Sequence, residues 1–62
     1  MNSFFANPVR LNGGYDVEVK LPHVGSSRLL CGGRYPYTLA QAQAAAQSAR
    51  RDFKNHGTVD CG

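Results

Sequence analysis

The sequence predicts an α+β fold, a three-stranded antiparallel sheet packed on one carboxy-terminal helix (β-β-β-α). Three observations carry it. Tyr15 to Leu21 alternates apolar and polar residues, the period of a half-buried strand. Asn12-Gly13 stands just before it, a strong short hairpin signal. Thr38-Leu39-Ala40-Gln41 opens an alanine-rich stretch in which the period changes from two to near 3.6.

The chain has 62 residues, enough for a single domain, 1–62. A domain of this size buries only about 60% of its unfolded surface, so its stability is marginal. Small domains commonly gain support from a disulfide, a metal or oligomerisation.

The opening stretch to Asn7 has no clear period, so residues 1–7 are expected to be loose, with Phe4 and Phe5 as its available anchors. Pro8 cannot donate to a ladder, so the first strand begins there or lies at an edge. Val9-Arg10-Leu11 follows it. The Asn12-Gly13 turn is expected to be type I′, and Gly14 adds slack or a bulge. In the second strand Tyr15, Val17, Val19 and Leu21 face the core, and Asp16, Glu18 and Lys20 face water. Residues 22–27 read as a loop. Arg28-Leu29-Leu30-Cys31 is the third strand, ended or bulged by Gly32-Gly33.

Thr38 caps the helix and Gln41 completes a capping box. The helix is expected from Leu39 to about Asn55. Leu39, Ala42, Ala46, Ala49 and Phe53 form its apolar stripe, and alanine lets its axis approach the sheet. Arg50, Arg51 and Lys54 sit near its negative end. Gly57 suits the position after the cap, and 58–62 is expected to be loose. The predicted core is Val17, Val19, Leu21, Leu29 or Leu30, Ala42, Ala46, Ala49 and Phe53.

The formal charge of +3 is mildly basic and suits a nucleic acid or an acidic protein partner. The start lacks the basic-then-apolar pattern of a secretory signal, and no apolar run approaches the roughly 20 residues of a membrane span. A cytoplasmic location is the expectation. In that setting Cys31 and Cys61 are expected to be reduced, though their spacing also allows a bridge. His23, Cys31, His56 and Cys61 lack zinc-ligand spacing, so no metal is expected.

Neither a nucleophile–base–acid order nor a phosphate loop is present, so the chain is expected not to be an enzyme and to need no cofactor. Asp16 and Glu18 look like a carboxylate pair, but alternation on a wet strand face accounts for them. His23 and His56 lie where solvated polar residues are expected.

Gly14-Tyr15, Val17-Glu18-Val19-Lys20 with Pro22, Arg28-Leu29-Leu30-Cys31-Gly32, and Thr38-Leu39-Ala40-Gln41-Ala42 together resemble the plant ethylene-response-factor DNA-binding domain and the related amino-terminal domains of phage integrases. The resemblance runs from Gly14 to Gly57, about two thirds of the chain. It implies a sheet whose exposed face enters the major groove of duplex DNA. Lys20 and Arg28 match basic strand positions, and Tyr15 matches an aromatic one. Asp16 departs from the pattern by placing an acid on the face that would meet phosphate.

Two functional readings follow. The first is a small DNA-binding accessory protein of phage or mobile-element type. Arg10, Lys20, Arg28 and Arg34 contact DNA through the wet sheet face, with Arg50, Arg51 and Lys54 as a second patch. Arg10, Lys20 and Arg28 share that face if the register follows the Asn12-Gly13 turn. The second is a protein-binding inhibitor or adaptor acting on a host complex, such as an anti-CRISPR protein, with Arg34, Tyr35 and Tyr37 as anchors. The alternative for the tyrosines is packing at the strand–helix corner. Homo-oligomerisation is expected through the sheet edge at Val9–Leu11 or the open helix face.

Overall fold

The computed structural model describes residues 4–22, 24–34 and 36–59. His23, Tyr35 and Cys61, named above, lie outside the described residues. The elements run β1 (Phe5–Leu11), β2 (Gly14–Lys20), β3 (Arg28–Leu29) and α1 (Leu39–His56). The sheet is antiparallel in the order β1-β2-β3. This is the predicted architecture.

Asn12-Gly13 makes the two-residue turn, because Leu11 pairs with Gly14. The turn is not type I′. Gly13 has φ 91° while Asn12 keeps a negative φ, the sign pattern of type II. Gly14 is the first residue of β2. A Cβ there would lie 2.9 Å from the Pro36 Cβ, so glycine allows the later chain to pass close by.

β1 begins three residues before Pro8 and includes Phe5–Asn7, where the lack of a clear period predicts a loose segment. Phe4 accounts for the difference. Its ring stacks on Phe53 with centroids 4.4 Å apart and planes 7° from parallel, fastening the start of the chain to the helix. Pro8 is tolerated because β1 is an edge strand. Arg50 donates to the Ala6 carbonyl, which orients Ala6, and with it Pro8, toward the free edge.

α1 packs on β1 and β2. Ala42, Ala46 and Ala49 are buried against Ala6, Val17 and Val19. Among the described residues the largest fully buried side chains are Val17, Val19 and Asp16, so the core is small. Leu39, expected in the stripe, is 46% exposed. It stands in the first turn, ahead of the alanines that meet the sheet. Leu30 packs against the core, whereas Leu29 pairs with Glu18 on the opposite face. The capping box is present: Gln41 N–H donates to Thr38 Oγ1 at 3.2 Å and Thr38 N–H to Gln41 Oε1 at 3.0 Å. Gly57 closes the helix at φ 74°. Among the described residues no helix is long and apolar enough to cross a membrane.

Candidate functional site: a loop anchored on a buried carboxylate

Directly opposed residues of an antiparallel pair share a face, so the register sorts the side chains. Ala6, Pro8 and Arg10 oppose Val19, Val17 and Tyr15, on the helix side. Phe5, Asn7, Val9 and Leu11 oppose Lys20, Glu18, Asp16 and Gly14, on the open side. Arg28 opposes Val19 and joins the helix side.

Arg10, Lys20 and Arg28 therefore do not share the open face. Only Lys20 lies on it; Arg10 and Arg28 stand on the helix side, on the two outer strands. Arg34 is exposed in the loop after β3. Arg50 is committed to Ala6 at the β1 edge, while Arg51 and Lys54 are exposed late in α1. The register thus sets Lys20 apart from Arg10 and Arg28, while Arg50, Arg51 and Lys54 fall within five residues of α1.

Asp16 is on the open side, as alternation predicts, but it is not wet. Its relative exposure is 0%. The loop after β3 folds over it. Asp16 Oδ1 accepts the N–H of Val17 at 2.7 Å and of Cys31 at 3.2 Å, and Oδ2 accepts that of Gly33 at 2.8 Å. Three backbone N–H dipoles thus meet the buried charge, the arrangement that makes such burial tolerable. Among the described residues no buried side-chain polar atom lacks a partner.

Both ends of this loop are tied to β2. Leu30 N–H donates to the Val17 carbonyl at 2.7 Å. Tyr37 and Tyr15 exchange two backbone bonds, at 2.9 and 3.0 Å. Between them Arg34 N–H returns to the Cys31 carbonyl at 3.0 Å, with Gly32 and Gly33 at φ 61° and 79°. These are the φ signs of a type I′ turn, displaced from Asn12-Gly13 to Gly32-Gly33.

Cys31 is buried and disulfide-bonded, which corrects the reduced state expected of it. Its Sγ lies 3.4 Å from Tyr37 Oη. A disulfide sulfur carries no proton, so the tyrosine hydroxyl donates. Tyr37 is half-buried and packs on the core, so it supports the loop more than it projects from it.

Asp16 and Gly33 are the site residues that sequence reading missed. The signal was there in part. An acid inside an alternating strand and a Gly-Gly pair with N–H groups to satisfy suit one another, but nothing local says that they meet. No protein-family model, curated protein or solved structure matches the chain.

Proposed function

We propose that the chain is a protein-binding inhibitor or adaptor domain that presents Arg34 on the glycine turn at 31–34. The observation that supports this reading is the use of a fully buried carboxylate to fix a loop whose own Gly32, Gly33 and Arg34 are exposed. Burying a charge is costly, and little packing is gained by holding an exposed glycine turn. Holding its shape reduces the ordering cost of binding. Arginine on a rigid support is a common centre of protein interfaces, and it favours an acidic group on the partner.

Nucleic-acid binding through the sheet has less support. Groove or backbone binding needs several cations on one surface, and the register separates Arg10 and Arg28 from Lys20. The disulfide at Cys31 favours an oxidising compartment over the cytoplasm.

The test is capture from nuclease-treated lysate on the immobilised chain, comparing the parent with Arg34→Glu and with Arg51→Glu as a charge-matched control. The reading expects a protein retained by the parent and by Arg51→Glu and lost with Arg34→Glu. Equal retention by all three would remove Arg34 from the interface. Retention that disappears with nuclease, together with steeply salt-sensitive duplex binding, would return the reading to DNA.

A further inference from the structure

We propose that the cleft between α1 and the residues after β3 receives a lysine or arginine side chain of a protein partner, held by the Asp52 carboxylate. This rests on the reading of the chain as a protein-binding domain, but not on Arg34. Leu30 and Tyr37 form one wall of the cleft, and Ala45, Ser48, Ala49 and Asp52 of α1 form the other. Its volume is about 260 Å³, below the ~300–1,000 Å³ of sites that enclose a small molecule and in scale with one long side chain. The walls are fixed before anything binds. Leu30 N–H donates to the Val17 carbonyl, Tyr37 exchanges backbone bonds with Tyr15, and Leu30, Tyr37 and Ala45 pack on the core.

Asp52 supplies the charge. Among the described residues Asp16 and Glu18 accept hydrogen bonds, whereas Asp52 has neither a hydrogen bond nor an ion pair. It is half-buried at the cleft, toward the negative end of the helix dipole, where a carboxylate is disfavoured. The first turn of α1, where the dipole favours an acid, has none. The cations of the helix do not relieve Asp52. Arg50 and Lys54 each stand two residues from it, about 200° round the helix, and Arg50 is committed to Ala6. Arg51 is about 100° round and exposed. His56 shares the face of Asp52 one turn later, but among the described residues makes no ion pair with it. A cation from a partner therefore meets an uncompensated charge.

The rest of the lining selects a long basic side chain over other occupants. Leu30, Ala45 and Ala49 offer apolar surface to a methylene stem whose charged head pairs with Asp52. Ser48, four residues before Asp52, stands on the same helix face, and its hydroxyl is a second acceptor. An apolar side chain would cover the carboxylate and leave it unpaired, which is costly. A phosphate would meet its charge directly.

The test is an NMR titration of the ¹⁵N-labelled chain with blocked tripeptides: Gly-Lys-Gly, Gly-Arg-Gly and Gly-norleucine-Gly. None carries an acid, so the result is independent of Arg34. At least one basic peptide is expected to give saturable shifts centred on Leu30, Ala45, Ser48 and Asp52. The norleucine peptide supplies a stem without a cation. Its binding to the parent, and that of the basic peptides to Asp52→Asn, is expected to be weaker by about tenfold or more, the loss of one charge-assisted bond. Asp52→Asn removes no internal bond, so its melting midpoint should equal the parent's or exceed it as the dipole is relieved. A lower midpoint would mean that Asp52 already has a partner within the chain, which contradicts the proposal. No saturable shift with either basic peptide at tens of millimolar overturns it. So do equal binding of the norleucine peptide, equal binding by Asp52→Asn, or shifts that lie away from the cleft. Any of these leaves the Arg34 reading standing, because lysate capture tests that separately.

Discussion

The Asp16 carboxylate accepts the Gly33 N–H at 2.8 Å, joining the central strand to a loop seventeen residues later in the chain. That bond, with those to Val17 and Cys31, turns an exposed glycine pair into a fixed turn.

Removing the charge should therefore weaken the fold. Asp16→Asn keeps one acceptor oxygen but turns an NH₂ toward the loop, and is expected to destabilise by about 1–3 kcal/mol. Asp16→Ala leaves three N–H groups unpaired and should cost more. At roughly 4–8 °C per kcal/mol in a small domain, both shifts are easily read by thermal melting. An unchanged midpoint for Asp16→Ala would mean that the carboxylate does not hold the loop.

Gly14→Ala probes the close passage of Pro36. The added Cβ would meet Pro36 Cβ at 2.9 Å and the Tyr37 carbonyl oxygen at 3.2 Å, at a backbone φ of 155°. Overpacking of this kind costs typically about 1–3 kcal/mol. The displaced chain should also lose the Tyr15–Tyr37 backbone pair, visible as chemical-shift changes confined to those residues and their neighbours. Wild-type stability and shifts would show that the chain does not pass there.

Reduction addresses Cys31. A disulfide in a small domain contributes typically about 2–4 kcal/mol. A dithiol reductant should lower the parent's melting midpoint by many degrees and leave Cys31→Ser unmoved by the same treatment. Identical melting with and without reductant would show that the sulfur is a thiol.

Much of the fold was legible because it rests on local patterns. The period of two from Tyr15 to Leu21 placed Val17 and Val19 in the core, and the Thr38–Gln41 box fixed the helix start. Arg10 was legible too, though misplaced. A two-residue turn at Asn12-Gly13 opposes Arg10 to Tyr15, so the inward tyrosine already put the arginine on the helix side. Arg28 was not legible, because its parity depends on the path of the loop between β2 and β3. The burial of Asp16 was not legible for the same kind of reason. Alternation gives the side of a strand but not what later covers it. The early start of β1 rests on the Phe4–Phe53 stack, a contact between opposite ends of the chain that no local window contains.

The anchored loop is tested most directly by native-state amide exchange at the glycine pair, measured by NMR. Gly33 N–H donates to the buried carboxylate, and among the described residues Gly32 N–H has no acceptor although both glycines are exposed. A charge-assisted bond of about 1.5–3 kcal/mol must open before Gly33 exchanges, so its amide should exchange at least about tenfold more slowly than that of Gly32. In Asp16→Asn that difference should shrink or vanish while the amides of α1 stay protected. Equal exchange at Gly32 and Gly33 in the parent would contradict a loop held by Asp16, and with it the preorganised presentation of Arg34.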